Sequence, residues 1–429
     1  MRDVKILRWW PLIGAVALGA SLAGCGGNSD SSSGNASLRI ANATLTHPSL
    51  ALLANSADTG TATALDTIST YISPASGATV FQVNDTGSGT ALATITPTLT
   101  GGLHYTLLAY ESGGQVRTQV LNEDFATPAS GSAQVLVYDL APDAGNLDVY
   151  ITDPSTDLAT VTSPTTNLNK LALSSGLLTF SPGNYRIRVT GSGNKSDLRL
   201  DIPSVTLANQ QVASVALTPA AGGILLNGST IFQQSTYMAT RNTNSRVRLA
   251  AAVSGGASVA ASAGSTVIDA GSVAPAFGFY VLVPASSALN ITVNGQSVGA
   301  PATALTPGGD STLFVYGNAG SATASLIADD NRPPTTTTNV KLRLLNGITG
   351  SAGALTLTAN TSAVGTGIVP GAASAYVAVP GSTNAMNLSL TSSLSGGIFF
   401  TNTSNVLNAG TTYSVLAAGD TSAPQLLIR

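Results

Sequence analysis

Residues 178–191, LTFSPGNYRIRVTG, place two extended runs on either side of one proline. From Tyr185 to Val189 polar and apolar side chains alternate, the period of a strand with one buried face. Pro182 has no N–H to give a ladder, so the chain must turn there rather than continue a central strand. The same form recurs at 70–84 (TYISPASGATVFQVN), 279–295 (FYVLVPASSALNITVNG) and 375–391 (AYVAVPGSTNAMNLSLT). The turn prolines Pro74, Pro182, Pro284 and Pro380 lie 108, 102 and 96 residues apart.

Two further landmarks keep the same order around each proline. An opening strand precedes it: Leu38 to Asn42, Val135 to Asp139, Val247 to Ala251, and Val340 to Asn346. A late strand follows it, at 104–110, 212–218, 311–317 and 412–419. Self-similarity at a fixed pitch is the mark of repeated modules. Short strands with Gly/Pro/Asn turns every 8–12 residues predict an all-β chain of tandem immunoglobulin-like β-sandwich repeats. The four repeats are expected at 37–126, 133–234, 246–331 and 339–429, joined by linkers at 126–132, 235–245 and 331–339.

The first 24 residues read differently. Arg2, Lys5 and Arg8 precede an apolar run from Trp9 to Leu22. That run is about 14 residues long, against roughly 20 needed to span a bilayer, so it reads as an export signal. Leu22-Ala23-Gly24-Cys25 resembles the lipobox of bacterial lipoproteins. The resemblance implies cleavage after Gly24 and lipid on Cys25, the chain's one cysteine. Acyl chains contribute about 0.8 kcal/mol per buried methylene, and two or more anchor stably. The Gly/Ser/Asn-rich segment 25–36 then reads as a flexible tether. Gly26 after the cysteine resembles the sorting pattern that directs lipoproteins to the outer membrane.

Composition excludes other classes. Removal of residues 1–24 leaves 14 basic and 19 acidic side chains, a net charge of −5, which argues against nucleic-acid binding. Only 9% of residues are charged and 43% are hydrophobic, enough for a core and unlike a disordered chain. Trp9 and Trp10 leave with the signal, so the mature chain has no tryptophan on which to stack a sugar.

The second repeat carries the most specific motif: Val135-Leu-Val-Tyr-Asp139, then Pro142-Asp143, then Leu147-Asp148-Val149-Tyr150. It resembles the opening of a bacterial family known as domain of unknown function 4397. Tyr185–Gly191 and the late strand ending Leu217-Thr218-Pro219 fit the rest of that pattern. The resemblance covers about residues 36–234, with the later repeats as degenerate copies. It implies a sandwich-like fold and export, and no chemistry.

Candidate site residues are few. His47 and His104 read as unrelated surface or edge side chains, and no Cys/His nucleophile pair exists once Cys25 is lipidated. Gly87-Ser-Gly and Gly191-Ser-Gly read as hairpin turns, not as a nucleophile elbow. Asp139, Asp143, Asp148, Asp153 and Asp157 form the densest acidic group. Asp143, Asp148 and Asp153 are weak calcium candidates, although their spacing matches no calcium loop. Glu123-Asp124 reads as a solvated pair. Tyr71, Tyr138, Tyr150, Tyr185, Tyr280 and Tyr376 read as core or sheet-face residues.

These readings point to a non-enzymatic cell-envelope protein without cofactor or metal, held to the membrane through Cys25. It would display its sandwiches for adhesion, envelope structure or partner binding. The alternative is a periplasm-facing binder of a small glycan or ion. The identity of a protein or glycan partner, and the side of the membrane, stay open.

Overall fold

The computed structural model describes residues 34–429 apart from 171–172, 223, 351 and 395–396. The signal 1–24, the lipobox residues Leu22, Ala23, Gly24 and Cys25, and most of the tether lie outside the described residues. Regular structure is almost wholly strand, with three single-turn 3-10 helices among the described residues. None of the described helices is long and apolar enough to cross a membrane.

Four separate apolar cores mark four modules. They centre on Leu38, Leu50 and Phe81; on Val135, Val149 and Val189; on Val247, Val259 and Leu313; and on Leu342, Leu357 and Leu390. Each core lies between two sheets, so the chain is a series of β-sandwiches. In the second module one sheet joins Ala133–Asp139 to Ser174–Phe180 and Val212–Pro219, and the other joins Leu147–Thr152 to Gly183–Gly191. The proline turn carries the chain between them. Ser174–Phe180 lies at the edge of the first sheet, Pro182 follows, and Gly183–Gly191 enters the second sheet. Val281–Pro284 with Leu289–Val293, and Val377–Pro380 with Met386–Ser392, repeat the move. An edge position needs no N–H, which is why proline is tolerated there.

The opening and late strands pair in parallel in every module, for example Ser37 with His104 through Ala43 with Tyr110, and Lys341 with Thr412 through Asn346 with Ala417. The opening strands are buried along most of their length, not on alternate residues. A parallel strand covered on both faces needs apolar residues on both. One cover is the module's own core; the other is the neighbouring module. Ala41, Leu108 and Leu121 of the first module pack on Leu136, Tyr138 and Ile231 of the second. Ala250, Phe277 and Phe314 of the third pack on Leu345 and Leu416 of the fourth. The modules therefore associate in two pairs, each through its parallel strands. Close approach at the second pair demands glycine: a Cβ on Gly347 would lie 2.3 Å from Cβ of Ala252, and one on Gly371 would sit 2.1 Å from the Tyr316 ring.

The segment 235–245, read from sequence as linker, is structured. Tyr237–Thr240 adds a strand beside Leu226–Phe232, and Asn244 already opens the third module's first strand. Tyr237 faces the joint between the first two modules, so a polar-looking run acquires order from outside its own sheet.

Candidate functional site

The most concentrated polar chemistry lies in the joints between paired modules. Three opening strands carry an arginine between two core-facing apolar residues: Leu38-Arg39-Ile40, Val247-Arg248-Leu249 and Leu342-Arg343-Leu344. Alternation turns each guanidinium away from its own core and into the neighbouring module. Each arginine pairs in the parallel ladder with a hydroxyl residue of the late strand: Arg39 with Thr106, Arg248 with Thr312, Arg343 with Ser414. In the second module the corresponding pair is Leu136 with Ser214.

In the first joint Arg39 is 4% exposed. Its Nε donates to Thr106 Oγ1 (3.1 Å) and Glu123 Oε1 (2.9 Å), and its Nη2 to Glu123 Oε2 (2.5 Å). Its Nη1 reaches across to the Ser235 carbonyl at 2.6 Å, while Gln234 N–H of the second module donates to Glu123 Oε2 at 2.7 Å. The Tyr71 ring centroid lies 4.8 Å from the guanidinium, and its hydroxyl donates to Glu123 at 3.0 Å. Burial, then the Glu123 charge, pushes the Tyr71 hydroxyl well above its ordinary range, so it stays a donor.

In the second joint the arginines exchange partners. Arg248 donates through Nε to Thr312 of its own module (3.0 Å) and through Nη2 to Ser414 of the fourth (2.9 Å). Arg343 does the converse, with Nε on Ser414 (2.9 Å) and Nη2 on Thr312 of the third (3.1 Å). One carboxylate, Asp329, serves both: it pairs with Arg343 Nη2 and lies 3.6 Å from Arg248 Nε. Thr312 Oγ1 (2.6 Å) and the Tyr280 hydroxyl also donate to Asp329. Phe277 and Tyr280 lie 4.5 Å from Arg248, and Tyr376 lies 4.6 Å from Arg343. Burial and the Asp329 charge push the Tyr280 hydroxyl far up, again fixing it as a donor.

Glu123 is thus a correction to the sequence reading: it is 2% exposed and ion-paired, not solvated. Tyr71, Tyr280 and Tyr376 cover the arginines, each near the residues that approach the turn proline; Tyr138 and Tyr150 are buried in strands. The acidic residues of the second module do not converge. Asp148 accepts from Asn167 Nδ2 (2.7 Å), Ser192 Oγ (3.1 Å) and Gly193 N–H (2.8 Å). Asp143 lies in the 3-10 turn Pro142–Ala144, and Asp153 opens a turn closed by the Thr156 N–H. Asp157 caps Leu158–Thr160. Among the described residues no three His, Cys, Asp or Glu side chains group as metal ligands. His47 faces Asp85 at 3.0 Å and His104 faces Asp124 at 3.3 Å, two separate pairs. The His47 bond, followed by bonds from Ser88, lowers the Asp85 carboxyl to about 2.

Surface hollows offer little recognition chemistry. One of about 310 Å³ is lined by Asp143, Asp330, Arg332, Lys341 and Tyr376, but Lys341 Nζ is already bound by Asp330 (2.8 Å) and the Arg332 carbonyl (3.0 Å). Two others, of about 340 and 390 Å³, have no aromatic ring in their walls. The first is lined by small residues with Asp269 and Asn290, and Asp269 is already engaged by the Gly271 and Ser272 N–H groups. The second is lined by small apolar and hydroxyl residues.

Residues 36–150 match the DUF4397 family model, a domain of unknown function. The DUF4397 match contains Arg39, Tyr71, Thr106 and Glu123, hence the first module's whole share of the first joint. It ends at Tyr150, inside the second module and short of the residue 234 expected from sequence. Among solved structures the chain is similar to a crystal structure of a putative cell adhesion protein from Bacteroides uniformis ATCC 8492. Identity is 12% and the TM-score 0.20, over 47% of this chain and 98% of that one. A likeness of that size bears on neither fold nor function. No curated protein matches the chain. The joint residues escaped the sequence reading, although their signal was present: an arginine flanked by core residues in three aligned opening strands, with a tyrosine three or four residues before each corresponding proline.

Proposed function

We propose that this is a non-enzymatic, lipid-anchored envelope protein that presents tandem β-sandwiches for adhesion, envelope structure or partner binding. The observation that carries this reading is the use of the buried arginines and their acids between modules. Arg39, Arg248, Arg343, Glu123 and Asp329 are held by partners inside the chain, so their chemistry sets the posture of modules and is not offered to a substrate. A chain built this way presents outer sheets rather than a reaction centre. The lipobox at Leu22–Cys25 supports attachment to a membrane, and Gly26 supports the outer one.

Protease shaving of intact cells, followed by mass spectrometry of released peptides, tests the reading. Peptides from all four modules are expected. Cleavage only after the outer membrane is permeabilised would overturn surface display and favour a periplasmic binding role.

A further inference from the structure

Asn42, Asp139 and Asn346 occupy one place in three modules, three residues after the joint-facing position of the opening strand and paired in the ladder with Ala109, Leu217 and Ala417. Both asparagines work as two-sided clasps. The Asn42 Nδ2 donates to the carbonyls of His47 (3.1 Å) and Thr63 (3.2 Å), while its Oδ1 accepts from the Thr44 N–H (3.2 Å). The Asn346 Nδ2 donates to the carbonyls of Ile368 (2.8 Å) and Gly353 (3.4 Å), and its Oδ1 accepts from the Ile348 N–H (3.2 Å). Asp139 reproduces one side only. Its Oδ1 accepts from the Ala141 N–H, two residues on, at 3.0 Å. Its Oδ2 is buried and, among the described residues, has no hydrogen-bond partner. A carboxylate cannot donate; a carboxylic acid can.

Asp139 is 6% exposed and lines a hollow of about 250 Å³ where the first two modules meet. Tyr110 and Gln119 face it from the first module; Leu140, Pro142, Lys170 and Leu173 complete the wall. The ionisable groups there are Tyr110, whose titration Arg117 also influences, and Lys170; no ion pair reaches Asp139 among the described residues.

We propose that Asp139 is a proton-operated latch, whose neutral carboxyl takes the clasping role of Asn42 and Asn346 and tightens the second module's end beside the first in mildly acid surroundings. Burial is the dominant influence on this carboxyl and raises it to about 6, against the opposing pull of the Ala141 N–H. A carboxyl raised in the folded state gives stability that is complete below the ordinary carboxylate range and lost as pH rises through about 6.

The test compares thermal unfolding of the whole mature chain and its Asp139→Asn variant from pH 4.5 to 8. The amide donates at every pH. The variant is expected to melt only slightly above the wild type at pH 4.5, and the gap is expected to widen to about 4 °C or more at pH 8. Asp139→Leu, without a donor, is expected to melt below Asp139→Asn throughout. A difference between wild type and Asp139→Asn that stays constant with pH would overturn the latch, as would a failure of Asp139→Asn to fold. So would calcium chloride at pH 8 raising the melting temperature of the wild type but not of Asp139→Asn, which would make Asp139 a cation ligand instead.

Discussion

The two joints solve one problem with different charge balances. The first buries one arginine against one carboxylate, Arg39 against Glu123, and supplements it with the Ser235 carbonyl. The second buries two arginines around the single carboxylate of Asp329. Buried guanidinium is costly unless its donors are satisfied and its charge is met. The second joint meets that demand by exchange: each arginine has a hydroxyl from both modules, and aromatic faces of Phe277, Tyr280 and Tyr376 supply the remaining negative potential. The first joint has Leu136 where the second arginine would stand, and an apolar contact takes over that half of the exchange. The difference teaches that the parallel strand pair and its apolar cover define the joint, while the arginines define its register.

Removing the shared acid should produce the largest effect. Asp329→Asn leaves two buried guanidinium groups without a counter-charge, so the third and fourth modules should lose about 3–5 kcal/mol or more. Glu123→Gln strands one guanidinium rather than two, and its cost should fall at the lower end of that range. Calorimetry of the mature chain checks both: the transition of one module pair should move while the other stays. Equal shifts would mean that the two joints do not differ in charge balance.

A smaller effect is expected from making the second joint resemble the first. Arg248→Met puts an apolar side chain where the second module carries Leu136. Arg343 keeps Asp329, and Ser414 keeps Arg343 and Tyr376. The expected cost is about 1 kcal/mol, the scale of a hydrogen bond exchanged for packing. In an Asp329→Asn background the same change should stabilise, because it removes one unpaired charge. A double-mutant cycle reads the coupling directly. Additive effects would break the claim that Asp329 serves both arginines.

The sequence disclosed the architecture because its signals are local. Tyr185 to Val189 alternate, Pro182 stops a ladder, and the arrangement returns with each repeat; no long-range knowledge is needed. The joints were less legible because their signal is relational. Strand alternation turns Arg343 away from its own core, and only the covering module supplies that face with partners. Glu123 beside Asp124 reads as a solvated pair until Arg39 and Gln234 close over it. The segment 235–245 failed as a linker for the same reason, since Tyr237 is ordered by a partner beyond its own sheet. Asp139 shows the converse: its neighbours in sequence suggested a cation site, whereas comparison with Asn42 and Asn346 identifies a clasp lacking a donor.

The smallest expected effect separates the tyrosines by what their hydroxyls touch. Tyr71 and Tyr280 donate to carboxylates that also hold arginines, Glu123 and Asp329. Among the described residues the Tyr376 hydroxyl meets the neutral Ser414 hydroxyl, at 3.0 Å, and no carboxylate. Phenylalanine keeps each ring over its guanidinium, so the cation–π contact survives and the hydroxyl alone is lost. A hydrogen bond to a charged acceptor contributes about 1.5–3 kcal/mol and a neutral one about 0.5–1.5. Tyr71→Phe and Tyr280→Phe should therefore cost more than Tyr376→Phe, each within its own module pair, when unfolding is followed by calorimetry. If Tyr376→Phe costs as much as Tyr280→Phe, the hydroxyl on Ser414 is as important to the exchange as the one on Asp329. The second joint would then be a continuous hydrogen-bonded network rather than a carboxylate with two dependants.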